Sequence, residues 1–119
     1  MQGIEAYHEN TISTQSRGRL IVLLYEGAIK FLRQAIAELE KENFAKKGEY
    51  ITKAIDIVNE LNACLDVDGG GEVAQNLRGL YHFMARQLQE ANLNRDPQRI
   101  EEVISLLEEL NVSWKAITA

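Results

Sequence analysis

Leu20–Leu39, LIVLLYEGAIKFLRQAIAEL, is too apolar for a helix lying on a surface with one buried stripe. An amphipathic surface helix carries apolar residues at i, i+3, i+4 and i+7, on a face roughly 100° wide or a little more. Here Leu20, Leu24, Ala28, Phe31 and Ala35 form one line, and Ile21, Tyr25, Ile29, Leu32, Ile36 and Leu39 form a second beside it. Val22 and Leu23 widen the start further. The pattern predicts a helix covered on two or three sides, the most enclosed member of a bundle.

The flanks of this helix ask for antiparallel neighbours. Ser16 is the candidate N-cap, its hydroxyl accepting from a free N–H of the first turn. Arg17 and Arg19 stand at the positive end of the helix dipole and Glu38, Glu40 and Glu42 at the negative end. Each misplacement costs about 0.3–1 kcal/mol when exposed. A second helix running back would set Asp66 and Asp68 near the arginines and Lys46 and Lys47 near the glutamates.

That second helix has Asn43 as its cap and a seam of Ile51, Ala54, Ile55, Val58, Leu61 and Leu65. Asp68-Gly69-Gly70-Gly71 is the clearest break in the chain and reads as an interhelix turn. It lacks the following Lys-Ser/Thr or the spaced glycines of a phosphate loop. A third helix carries Val73, Leu77, Leu80, Tyr81, Met84, Leu88 and Ala91 on one face. Asp96-Pro97 opens a fourth, with aspartate as N-cap and proline at the first helical position. Its expected seam is Ile100, Val103, Ile104, Leu107, Leu110, Trp114 and Ile117.

The expectation is an all-α protein, an antiparallel four-helix bundle over residues 16–119, with helices at about 16–41, 44–66, 72–92 and 96–117. Residues 1–15 are set apart as an N-terminal segment that is either a frayed end or a short helix or cap packing on the bundle. Ile4 and Tyr7, three residues apart, would share one side of a helical turn.

A chain of 119 residues is long enough for one core without staples. The net charge of −5, with basic residues scattered among acidic ones, excludes the concentrated basic patch that nucleic acid requires. Cys64 is the single cysteine and cannot form an internal disulfide. No signal peptide or integral membrane segment is legible, so the chain reads as cytoplasmic.

Catalytic readings find few residues to stand on. Glu5-x-x-His8 has the spacing of a di-metal ligand pair, but His82 has Gly79 where a second Glu-x-x-His needs its glutamate. The alternative function is a phosphotransfer bundle using His82, which lies on the polar side of the third helix with Arg78, Arg86 and Gln89. Those domains usually show His-x-x-Lys-Gly, whereas this chain has His82-Phe83-Met84-Ala85-Arg86. Cys64 has no base beside it. What is left over is apolar: Ile57, Phe83, Leu93, Leu106 and the start of the first helix exceed what four stripes require. Contiguous apolar surface usually marks a binding site, here one for an apolar or amphipathic segment.

Fragments along nearly the whole chain resemble one family, the flagellin-specific export chaperones of bacteria (FliS). They include Ile4-x-Ala6-Tyr7, Leu20-Ile21-x-x-Leu24-Tyr25-x-Gly27-Ala28, Lys53-Ala54-Ile55-x-Ile57-Val58-x-Glu60-Leu61, Gly70-Gly71-Glu72-Val73-x-x-Asn76-Leu77, Leu80-Tyr81-x-Phe83-Met84 and Trp114. Two positions depart: Arg17 stands where the family usually has proline, and His82 where it often has aspartate. The resemblance implies an ATP-independent, non-enzymatic chaperone that binds the disordered C-terminal segment of flagellin. It would prevent premature polymerisation and keep flagellin competent for type III export through the flagellar export gate.

No cofactor, nucleotide or metal is implied, and weak self-association is compatible with it. The resemblance further implies that Ile4 and Tyr7 contact the partner and cover its site in the free protein. With the surplus apolar residues, the expected partner-binding set is Ile4, Tyr7, Ile21, Tyr25, Ile57, Leu61, Phe83 and Leu106.

Overall fold

The structure, a computed structural model, describes residues 14–118. Ile4, Tyr7, Glu5 and His8 lie outside that range. Four α-helices follow in order: α1 Thr14–Glu40, α2 Phe44–Ala63, α3 Val67–Asn94 and α4 Pro97–Thr118. Each packs beside two others, α1 and α3 both lying against α2 and α4, so that α1 faces α3 across the diagonal. The pairs Phe31 with Tyr50, Lys47 with Asn92, Glu90 with Arg99 and Arg33 with Glu108 run in opposite directions along adjoining helices. The bundle is antiparallel.

The core repeats every seven residues. Tyr25, Ala28, Leu32 and Ala35 of α1 meet Ile51, Ala54, Val58 and Leu61 of α2, Tyr81, Met84, Leu88 and Ala91 of α3, and Ile100, Val103, Ile104 and Leu107 of α4. Alternating steps of three and four residues keep one narrow seam inward along several turns, as in coiled-coil packing. Alanines alternate with large residues along α1, which lets the facing side chains interdigitate.

This narrow seam corrects the expected enclosure of α1. The buried seam takes Ala28 and Ala35 from one of its apolar lines and Tyr25 and Leu32 from the other, while Ile21, Leu24, Phe31 and Ile36 are half-buried against the core. Leu20 and Leu23 are 55% and 63% exposed, because a helix with two neighbours in a four-sided bundle keeps an outer face. On α4 the seam passes through Asn111, which is 3% exposed, whereas Leu110 is half-buried and Ile117 exposed.

The helix ends follow local chemistry. Asn43 accepts from the Lys46 N–H at 3.4 Å, and Asp96 accepts from the Gln98 N–H at 3.1 Å, as N-caps. Ser16, expected as the cap of α1, lies inside that helix, which spans Thr14–Glu40. α1 closes on Glu42 at φ 60°, with the Asn43 N–H reaching the Glu38 carbonyl and the Glu42 N–H the Leu39 carbonyl. That is the Schellman pattern on a non-glycine residue. Arg95 at φ 53° ends α3 with its own N–H and that of Asp96 both on the Ala91 carbonyl, and its guanidinium lies 3.6 Å from the Phe44 ring centre.

Lys47 takes a different place from the one expected. It is buried, and its ammonium donates to the Asn92 carbonyl at 3.0 Å and the Asn92 Oδ1 at 2.6 Å, covering the C-terminal carbonyls of α3. Lys46 pairs with Glu49 on its own helix, and Asp66 caps α3. Among the described residues no ion pair joins Arg17 or Arg19 to Asp66 or Asp68, so adjoining helices do not relieve the α1 dipole as expected.

Candidate functional site

At the end of the bundle where α1 and α3 begin and α2 and α4 finish, the seam opens into an apolar cleft of about 240 Å³. The α2–α3 connection shapes it. α2 stops at Ala63, and Asp66 accepts from the Gly69 N–H at 2.8 Å to start α3 five residues before the expected Glu72. The helical turn so formed is interrupted at Gly71, with φ 60° and ψ −137°, a conformation that side-chain-bearing residues avoid. A methyl group on Gly70 would come 2.7 Å from the Ala74 Cβ, so this turn approaches its own helix closely. The triple glycine therefore forms one turn of helix and a kink.

Ile21, Leu61, Leu65, Val73, Leu77 and Trp114 give the cleft an apolar lining. Val73 stands at its rim, 69% exposed, because the end of the bundle leaves that side of α3 without a neighbour. Beneath lies an aromatic cluster. The hydroxyls of Tyr25 and Tyr81 are 2.6 Å apart, and the Tyr25 ring centre is 6.4 Å from that of Tyr81 and 6.5 Å from that of Trp114. Burial pushes both tyrosine hydroxyls above their ordinary pKa, so both stay neutral. The site offers mainly apolar contact, with Cys64 and the Asp66 carboxylate, which accepts from the Gly69 N–H, also in its lining.

Of the expected set, Ile21 and Leu61 line this cleft, and Tyr25 sits below it in the core. Ile57 is half-buried near Gly27, Phe83 is exposed on α3 and Leu106 is half-buried on α4; none of the three lines the cleft. Leu65, Val73, Leu77, Tyr81 and Trp114 belong to the site without having been singled out. The i, i+4 spacing of Val73, Leu77 and Tyr81 was the available signal, and it reads equally well as core. His82 is exposed, with its Nε2 3.1 Å from the Asn62 side-chain nitrogen.

A second concavity, of about 770 Å³, runs along α1 and α4. Ion pairs cross it at two levels, Arg33 to Glu108 at 2.7 Å and Lys115 to Glu26 at 3.3 Å. Both are exposed and worth about 0–1 kcal/mol each. Ile29, Ala37 and Val112 contribute apolar walls, and Gln34, just past Arg33, and Asn111 also line it. The Gln34 Oε1 and Asn111 Oδ1 are buried and accept no hydrogen bond among the described residues. Such an acceptor costs about 1–3 kcal/mol.

Among the described residues no cluster of His, Cys, Asp and Glu could hold a metal ion, and no helix is long and apolar enough to cross a membrane. Fold and cleft define a class: an all-α four-helix bundle with an apolar cleft at one end. Within that class the chain belongs to the FliS family, whose model, described as flagellar protein FliS, matches residues 1–119. A flagellar secretion chaperone FliS of Salmonella typhimurium is 43% identical over 121 residues, covering 98% of this chain and 90% of the relative. That of Vibrio cholerae is 36% identical over 118 residues, covering 96% and 87%. The FliSB chaperone of Pseudomonas aeruginosa is 38% identical over 122 residues, covering 99% and 97%.

Proposed function

We propose that this protein is an ATP-independent chaperone for flagellar export that binds the disordered C-terminal segment of flagellin. Family membership supports the export role, and the apolar cleft over Tyr25, Tyr81 and Trp114 is the observation that carries the binding site. Flagellin's tail places apolar side chains between Ile21, Leu61, Val73 and Leu77. This holds the tail away from other flagellin subunits in the cytosol and delivers it to the export gate.

In the free protein, residues 1–15 cap this site through Ile4 and Tyr7. Burying two large side chains yields about 1.5–3 kcal/mol each before ordering costs, so the cap is weak. A tail burying on the order of 2,000 Å² displaces it. Because the tail orders as it binds, affinity per unit area is modest and the heat-capacity change strongly negative.

Calorimetry tests this reading. The C-terminal segment of flagellin from the same bacterium should bind one to one at micromolar concentration or below, and no heat at that concentration would refute the assignment. Val73→Glu alters an exposed rim position near the start of α3, where a carboxylate suits the helix dipole. It should weaken binding at least tenfold with the circular dichroism spectrum unchanged. Unaltered affinity would remove the cleft from the site.

A further inference from the structure

Gly18 lies in α1 three residues before Ile21, and Thr118 lies in α4 four residues after Trp114; Ile21 and Trp114 both line the end cleft. The two antiparallel helices come together at Gly18. It is buried, and a methyl group there would overlap the Thr118 Cγ2 methyl, with the Thr118 Cβ 3.3 Å away. Glycine inside a helix is unfavourable relative to alanine, so its place early in α1 calls for a packing reason, and this close approach supplies one.

Thr118 cannot turn its methyl aside cheaply. Its branched β-carbon restricts χ1, and its hydroxyl donates to the Trp114 carbonyl at 2.8 Å. Rotating the methyl off Gly18 would carry the hydroxyl away from that carbonyl. The same bond ties the contact to the backbone of Trp114, whose ring centre stands 6.5 Å from that of Tyr25. One residue further on, Lys115 meets Glu26 of α1 at 3.3 Å, so the end of α4 is held on α1 by a second contact.

We propose that Gly18 and Thr118 are positioning residues for flagellin binding: their contact sets how closely α4 approaches α1 and, through Trp114, the width of the end cleft. This deepens the binding role given above and rests on the cleft being the site of the tail. An apolar cleft binds through close-packed contacts, and a gap of about 0.5–1 Å forfeits a quarter to a half of each. A methyl added at residue 18 pushes the last turn of α4 outward, and Trp114 with it. Its effect on α1 alone runs the other way, since alanine favours helix.

Two readouts test this. Trp114 is the chain's single tryptophan, so its quenching by acrylamide reports on the cleft wall with no ligand present. Gly18→Ala should roughly double that quenching and weaken binding of flagellin's C-terminal segment about tenfold in calorimetry, with the circular dichroism spectrum unchanged. Adding Thr118→Ser, which removes the overlapping methyl and keeps the hydroxyl, should restore both. Gly79→Ala controls for helix propensity: a methyl there meets no described atom within 4 Å, and it should change neither readout. Wild-type quenching in Gly18→Ala, or failure of Thr118→Ser to restore what it changed, overturns the proposal. So does unaltered tail affinity beside altered quenching, in a protein that binds the tail. If Gly18→Ala alone does not fold, recovery of folding in the double variant supports the contact and its absence refutes it. A protein whose quenching follows the expected pattern but which ignores flagellin refutes the end cleft as the site of the tail and leaves the control of Trp114 by Gly18 and Thr118 standing.

Discussion

Tyr25 and Tyr81 join the two diagonal helices α1 and α3, which otherwise face each other only across the core. Their hydroxyls, 2.6 Å apart, are the polar tie in that layer. Both pKa values are raised, chiefly by burial, and for Tyr81 also by its hydrogen bond to Tyr25. A tyrosine with a raised folded pKa contributes stability that is fully present below its ordinary value near 10 and is lost as pH climbs through the folded value. Lys47 acts in the opposite sense, because burial and the nearby Arg95 lower its pKa from 10.5. Its contribution therefore rises with pH between the lowered value and 10.5.

Two variants separate these effects in urea titrations. Tyr81→Phe should lose about 1–3 kcal/mol at pH 7, since the Tyr25 hydroxyl loses a buried partner, and should flatten the fall in stability above pH 10. Lys47→Met should remove the opposing alkaline rise. A Tyr81→Phe protein with the wild-type alkaline slope would show that the alkaline loss of stability does not come from Tyr81.

At the scale of elements, the sequence was most legible where one residue dictates local geometry. Asn43 and Asp96-Pro97 can start helices by side-chain acceptance and a preset φ, and they do. Gly69-Gly70-Gly71 was harder, because glycine permits a turn and a helical kink alike, and only the Asp66 side chain reaching the Gly69 N–H decides between them. The seam of α4 misled for a different reason. Leu110 is the more apolar residue, yet the four-residue step from Leu107, a heptad from Ile104, places Asn111 inward, and hydrophobicity alone cannot express that rotation. Tyr25 lies in the core and Leu61, though 2% exposed, lines the cleft, since the same apolar spacing serves core and cleft.

Gly71→Ala tests the kink. Its backbone lies in a region costing about 1–3 kcal/mol for other residues, so the variant should lose stability by that amount. Hydrogen exchange should accelerate at 67–70 and stay slow through Tyr81–Ala91. Uniform acceleration along α3 would mean that the first turn and the rest of the helix unfold together.

For the whole molecule, four seven-residue seams close one core, and the same closure decides where binding surface remains. The helices cannot bury both ends and all four sides, so apolar area stays open at the end cleft and along α1–α4. A ligand that binds only the folded bundle stabilises it by mass action, by about 2.7 kcal/mol at one hundred times its Kd. For a domain near this size, each kcal/mol raises Tm by roughly 4–8 °C.

Saturating flagellin tail should therefore raise Tm by about 10–20 °C, read by differential scanning calorimetry. Val73→Glu should have nearly the wild-type Tm alone, because exposed substitutions usually stay within about 0.5 kcal/mol. At the same tail concentration its shift should be smaller by about 1.4 kcal/mol, the equivalent of tenfold weaker binding. A wild-type shift in Val73→Glu would remove the end cleft as the place where the tail binds.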